Sequence, residues 1–221
     1  MPIRKVPLVT EEIYHVFNRG INRQPTFLFK RDYQRAIQSI QYYCFSKPPL
    51  RLSKFLILEQ SRQDDLLKSL ASSEALIDTI SFCLMPNHFH LLLRQKAEKG
   101  ISKFLANFQN SYTRYFNTKH NRDGALFLTQ FKAVRIETEE QLIHVSRYIH
   151  LNPCTGFVVN STEELKHYPW SSFPNYCNNS TNTTHKDLVD LFPSKEMYQK
   201  FVLDQADYQK ELSLIKHLSL D

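Results

Sequence analysis

Between Phe82 and Arg94 the chain reads Phe-Cys-Leu-Met-Pro-Asn-His-Phe-His-Leu-Leu-Leu-Arg, and no other stretch limits the fold so tightly. Successive side chains of a strand point to opposite faces, so His88, His90 and Leu92 share one face and Phe89, Leu91 and Leu93 the other. The second face can bury itself in a core. Met85-Pro86-Asn87 reads as a tight connection, because proline presets φ and asparagine tolerates turn geometry. Ahead of it Leu76, Ile80, Phe82 and Leu84 alternate, so the expectation is two adjacent central strands joined as a hairpin. Two imidazoles side by side on a rigid strand are either nitrogen ligands for one metal ion or packed, hydrogen-bonded core residues. Spacing alone leaves both readings open.

The rest of the chain is long enough to bury such a hairpin. Its 221 residues allow one domain with a real core, or one domain plus an appendage. No run approaches the ~18 apolar residues of a membrane span, and Met1-Pro2-Ile3-Arg4-Lys5 lacks the apolar segment of a signal peptide. The expected location is the cytoplasm, with no membrane partner. Cys44, Cys83, Cys154 and Cys177 are widely spaced without a Cys-x-x-Cys pair, which argues against a zinc ribbon or a disulfide framework. A net charge of +6 favours a polyanionic partner.

Ile13 to Gly20 alternates and ends in glycine, predicting a first strand and then a loop. Arg31-Asp32 opens a helical pattern carrying Tyr33, Ile37 and Ile40, closed by Lys47-Pro48-Pro49. Residues 50–75 read as an insertion, with Phe55-Leu56-Ile57-Leu58 a candidate strand and Asp64 to Leu70 a short polar helix. Ile101, Phe104, Leu105, Phe108, Tyr112, Tyr115 and Phe116 form a 3.6-residue stripe on a helix running to about Lys119. Ala125 to Thr138 has extended character. Glu137-Thr138-Glu139-Glu140 then places acids at a helix start, where they suit the macrodipole; that helix is expected to stop at Asn152-Pro153. The domain reading is 1–177 as the folded unit, 178–186 as a polar linker and 187–221 as a helical tail, whose apolar residues include Met197, Phe201, Tyr208, Leu212 and Ile215.

A second motif lies on the helix after Glu140, in Arg147-Tyr148-Ile149-His150-Leu151-Asn152-Pro153. Residues four apart on a helix are neighbours, so Tyr148 and Asn152 bring a phenol and an amide to one place. Leu142, Val145 and Ile149 form the buried stripe, and Tyr148 lies about 100° from Ile149 around the axis, at the edge of that stripe. A tyrosine there can equally be structural, with its ring packed and its hydroxyl in water. Tyr112 sits inside its own stripe and reads as core.

Tyr14-His15-Val16-Phe17-Asn18-Arg19-Gly20, Met85-Pro86-Asn87-His88-Phe89-His90-Leu91-Leu92, Arg147 to Pro153 and Tyr168-Pro169-Trp170-Ser171-Ser172, in this order and approximate spacing, resemble the REP-associated tyrosine transposases. These belong to the single-tyrosine HUH transposases, named for two histidines flanking a bulky apolar residue. The resemblance spans residues 14–172. It implies an α+β, ferredoxin-like or RRM-like sandwich, with a central antiparallel sheet carrying His88 and His90, helices on one face and a C-terminal helical extension. It further implies a divalent metal, Mg²⁺ or Mn²⁺. By position His88 and His90 match the family's metal-binding histidines, Tyr148 its nucleophile and Asn152 the polar ligand that completes the site. The implied substrate is single-stranded DNA that folds into a hairpin, such as repetitive extragenic palindromes. Dimers occur in related transposases, so a homodimer is one candidate assembly.

The implied chemistry suits these residue types. A metal held by neutral imidazoles and an amide keeps its positive charge for an anionic phosphodiester, and a nearby cation favours the phenolate of a tyrosine. Arg19, Arg23, Lys30, Arg31, Lys119, Arg122, Lys132 and Arg135 are the candidate phosphate contacts. The chain departs from the family pattern in Leu128 and Gln130 around Phe131-Lys132, and in Cys154-Thr155-Gly156 after Asn152-Pro153; these positions bear on DNA specificity more than on cleavage. The function expected is therefore a metal-dependent DNA endonuclease and strand transferase. The alternatives are a non-cleaving nucleic-acid-binding module on the same fold and a metal-dependent hydrolase that uses water.

Overall fold

Four β-branched- and aromatic-rich segments form the sheet: β1 (Ile13–Arg19), β2 (Ile77–Met85), β3 (His88–Gln95) and β4 (Lys132–Ile136). The structure, a computed structural model, describes residues 7–177 and 186–210. The strand order is β2-β3-β1-β4 and every pairing is antiparallel. With α1 (Lys30–Tyr43) between β1 and β2, and α4 (Gly100–Lys119) between β3 and β4, this is the split β-α-β arrangement of ferredoxin-like folds. The α+β sandwich that the resemblance implies is therefore the fold of this chain, except that helices cover both faces of the sheet rather than one, because α5 packs on the face opposite α1 and α4.

The two faces of the sheet carry separate cores. Tyr14, Val16, Phe89, Leu91 and Leu93 point toward α1 and α4 and join Phe104, Phe108 and Tyr112. Phe89 meets Phe108 edge-to-face at 5.3 Å, and burial of each such ring contributes about 1.5–3 kcal/mol. On the opposite face Cys83, Met85 and Leu92 pack under α5 (Glu139–Thr155), which brings Leu142 and Ile149. Against α5 lie α7 (Phe173–Cys177) and α9 (Lys195–Leu203), through Tyr176, Tyr198 and Val202. Two shorter helices, α6 (Thr162–Lys166) and α8 (Lys186–Val189), complete this layer.

Several local expectations change. Ile80 does not share a face with Phe82 and Leu84, because a β-bulge between Thr79 and Ser81 shifts the register and turns Ile80 toward α5. Strand β2 is outermost rather than central, yet its outer edge is bonded: Leu84 N donates to Trp170 O at 2.8 Å and Ser172 N to Phe82 O at 3.0 Å. The backbone of β2 is thus paired on both sides, which suits its apolar sequence. Phe55 to Leu58 is no strand. Leu52 and Phe55 lie one turn apart on α2 (Leu52–Phe55) and bury together against Tyr42 and Tyr43, while Ile57 is 74% exposed. The polar helix after it is α3 (Gln60–Ala71).

At the C-terminal side the apolar stripe is displaced by one residue. Tyr198, Val202 and Ala206 are buried, whereas Met197 and Tyr208 are exposed. The buried face of α9 carries the Tyr198 hydroxyl, with Phe201 and Leu203 packed partly buried beside it. Residues 178–185 of the expected linker, and Leu212 and Ile215 of the expected tail stripe, lie outside the described residues.

Candidate active site

Strand pairing builds the site. In the β1–β3 register Arg19 stands opposite His88, Phe17 opposite His90 and His15 opposite Leu92. Directly opposed residues share a face, so His88 and His90 are joined by His15, Phe17 and Arg19 on the face covered in part by α5. The rings of His88 and His90 are 5.0 Å apart, edge to face. His90 is buried, and its Nδ1 lies 2.9 Å from His15 Nε2, so the two rings share one hydrogen.

Helix α5 delivers the tyrosine. Thr138 caps it, its Oγ1 accepting from Gln141 N at 3.1 Å, with Glu139 and Glu140 in the first turn. Burial of Leu142 and Ile149 then fixes its rotation, and Tyr148 falls beside the core. Its ring lies 5.4 Å from that of His90 and 5.9 Å from that of His15, both edge to face, and the residue is 46% exposed. One turn on, Asn152 is buried; its Nδ2 donates to Tyr148 O at 2.9 Å, and its side chain hydrogen-bonds His88. The expected stop at Asn152-Pro153 does not occur, for α5 continues through Pro153 to Thr155. A proline so near the helix end forfeits a single backbone bond, to the carbonyl four residues back. Gly156 ends the helix against β2, where a Cβ would come within 2.5 Å of Met85 Cε.

The electrostatics keep the imidazoles neutral. Burial pushes His15 down to about 4. His90 is held well below its ordinary value by burial and by its neighbours His88 and His15. His88 is lowered by burial and by the Arg19 charge, against the opposing hydrogen bond from Asn152. The second bond of His88, Nδ1 to Asn87 Oδ1 at 2.6 Å, is anchored because Asn87 Nδ2 donates to Arg23 O at 3.2 Å.

Among the described residues no three His, Cys, Asp or Glu side chains converge as a metal cluster. A divalent ion at this place would be held by two imidazoles and the Asn152 amide. That donor set fits, because both rings are neutral, an amide oxygen is a hard ligand, and 5.0 Å between ring centroids leaves room for one ion at about 2 Å from a nitrogen of each.

The basic residues separate into groups. Arg19 and Lys132 flank the histidines, Lys132 Nζ lying 5.9 Å from the centre of the Phe17 ring. Arg23, Lys30 and Arg31 are exposed at the same end of the sheet, in the loop after β1 and the first turn of α1. Three others have partners within the chain. Lys119 bonds the buried Asp32 at 2.6 Å, Arg135 pairs with Glu12 at 2.7 Å, and Arg122 donates to Ala125 O at 3.2 Å. Burial opposes the charge of Asp32, but Lys119, the amides of Leu28 and Phe29, and Tyr115 hold its carboxyl below its ordinary value.

Sequence reasoning did not single out His15 or Phe17. Alternation along β1 already put them on the face of Arg19, but which face of β1 meets the histidines is a property of register between segments 75 residues apart.

Residues 57–152, from the end of α2 to Asn152, match the family model described as transposase, IS200 like. The match contains His88, His90, Tyr148 and Asn152, while His15 lies outside it. No curated protein matches the chain. Among solved structures the chain is similar to a REP-associated tyrosine transposase bound to a REP hairpin, with a TM-score of 0.56 over 84% of this chain and 94% of that one, at 13% identity. The matched segment and the shared fold agree with the motifs.

Proposed function

We propose that the protein is a single-tyrosine, metal-dependent endonuclease and strand transferase for single-stranded DNA, with residues 1–177 as its nuclease unit and the cytoplasm as its place of action. The observation that carries this reading is the convergence of Tyr148 on His90 and His15, with Asn152 of the same helix bonded to His88. A phenol exposed to solvent on one side and set against neutral imidazoles on the other can receive a phosphodiester. Mg²⁺ or Mn²⁺, held by His88, His90 and Asn152, would supply Lewis-acid stabilisation of the phosphoryl oxygens.

The Tyr148 oxygen attacks phosphorus, its proton passing to solvent, and the P–O3′ bond breaks. The product is a 5′-phosphotyrosine and a free 3′-hydroxyl, which takes a proton. One ester replaces another, so the 3′-hydroxyl of another strand reverses the step without an energy source. Arg19 and Lys132 beside the site, and Arg23, Lys30 and Arg31 beyond it, are the phosphate contacts. Hairpin DNA is the substrate form we favour, because the structurally similar transposase is bound to one.

The test is a denaturing gel of labelled hairpin oligonucleotides with Mg²⁺ or Mn²⁺. The wild type yields a band retarded by one covalently attached chain, and Tyr148→Phe yields none. Cleavage without an adduct in both proteins assigns water as nucleophile; hairpin binding without cleavage assigns a binding module.

A further inference from the structure

Helix α5 covers only half of the face on which the histidines stand. It lies over β2 and β3 and, at its first turns, over the Ile136 end of β4, while the part of the β1–β4 half around Phe17 faces solvent, with Val134 55% exposed and Lys132 exposed. Phe17 lies in this open half, partly buried, paired across the sheet with His90 on one side and Lys132 on the other. Its ring is 4.9 Å from His15 and 5.5 Å from His90. Unlike the other aromatic residues of the sheet, it belongs to neither hydrophobic core. Packing into either core therefore does not account for a phenylalanine at this position.

Its surroundings do. From Tyr148 the surface runs across His15 and Phe17 to Lys132, with Arg19 next along β1, and these side chains include no carboxylate. An aromatic face bordered by cations complements a ligand made of flat π-systems joined by anions. We propose that Phe17 is a stacking platform for one unpaired nucleobase beside the scissile phosphate, with Lys132 and Arg19 holding the adjacent phosphates. The base displaces the Lys132 ammonium from above the ring, freeing it for phosphate. A paired base, stacked on both faces, has no surface to offer Phe17, so the platform selects single strand over duplex at the point of attack. Base–aromatic stacking is worth about 1–3 kcal/mol per base and tolerates any sequence, which here corresponds to about 5- to 150-fold in affinity.

The inference rests on the proposed nuclease reading, and its test separates the two. Hairpin oligonucleotides carrying 2-aminopurine at each single-stranded flanking position in turn are titrated into the full chain, wild type, Phe17→Ala and Phe17→Tyr. Stacking predicts that one flanking position is quenched by the wild type and by Phe17→Tyr. In Phe17→Ala that quenching is lost, single-strand affinity falls by about 5- to 150-fold, and affinity for the fully paired oligonucleotide does not change. The melting temperature of Phe17→Ala stays near that of the wild type, as a residue outside both cores requires. Equal quenching and affinity in Phe17→Ala, or no quenched position with the wild type, overturns the platform even where the Tyr148 adduct forms. Quenching that depends on Phe17 without any adduct leaves the platform standing and removes the nuclease.

Discussion

Tyr198→Phe removes one oxygen from the most connected buried polar network of the described residues. The Tyr198 hydroxyl lies 2.7 Å from His150 Nδ1 and 3.1 Å from Ser146 Oγ. The other nitrogen of His150 lies 2.8 Å from Ser172 Oγ, which in turn accepts from Phe82 N at 2.9 Å. Four elements, α9, α5, the 170–172 segment and β2, are tied through these bonds. The Tyr198 hydroxyl donates to Ser146 Oγ, whose own hydrogen goes to Ile143 O, so the Tyr198 oxygen accepts from His150 Nδ1–H and His150 Nε2 accepts from Ser172 Oγ. Phenylalanine fills the same volume but orphans that Nδ1–H in a fully buried place. An unsatisfied buried donor costs about 1–3 kcal/mol, and each kcal/mol lowers the melting temperature by about 2–4 °C in a chain of 150–250 residues. The expected loss is about 2 kcal/mol, or about 4–8 °C. Urea unfolding followed by tryptophan fluorescence measures it through the midpoint at unchanged slope, Trp170 being the single tryptophan. In a His150→Leu background, where no imidazole N–H remains to be orphaned, Tyr198→Phe should cost less. A loss below 0.5 kcal/mol, or costs that simply add, would refute the reasoning.

Three other outcomes follow from the site. His15→Phe removes the hydrogen-bond partner that orients His90 and should weaken Mn²⁺ binding, followed by calorimetry, by about 10- to 100-fold, the usual effect of losing such a partner; His15→Gln should restore part of it. Lys119→Met leaves Asp32 buried without its cation, so stability should fall by about 1.5–3 kcal/mol while hairpin affinity changes little, the reverse of a phosphate contact. His150 is neutral when folded, burial holding it down to about 3. The unfolded chain therefore binds a proton that the native chain does not as pH falls below the ordinary histidine value. Denaturation midpoints should drop between pH 6.5 and 4, with this residue contributing about 1.4 kcal/mol per pH unit.

The hairpin and the tyrosine helix were legible because each is a local pattern: a period of two over His88 to Leu93, and a period of 3.6 with an acidic start over Glu139 to Ile149. What was not legible is settled between segments. The bulge at Ile80 answers to the carbonyl pairing of Tyr176, whose hydroxyl donates to Ile80 O at 2.7 Å, and no alternation along β2 contains that. The rotation of α9 buries Tyr198, whose hydroxyl reaches His150, and leaves Met197 exposed, which apolar spacing alone does not contain. Lys119 and Arg135 illustrate the same limit for charge. A basic residue reads as a phosphate contact until the acid that neutralises it, Asp32 or Glu12, arrives from 87 or 123 residues away.

The homodimer considered from the sequence meets a specific test in the way α5 is held. Tyr148 reaches the histidines of its own chain, and the helix that carries it is bonded within that chain on several sides. Tyr198 joins Ser146 and His150, and Ser172 joins His150 to β2. Exchanging α5 between two subunits would break these buried bonds together with the packing of Leu142 and Ile149. A mixture of Tyr148→Phe and His90→Ala chains, refolded together and given hairpin DNA, should therefore form no phosphotyrosine adduct above that of either alone, because each complete site needs both residues from one chain. Adduct in the mixture, at about a quarter of the sites for random pairing of subunits with an exchanged helix, would mean that the tyrosine works across a dimer and that this packing of α5 is only one of its two positions.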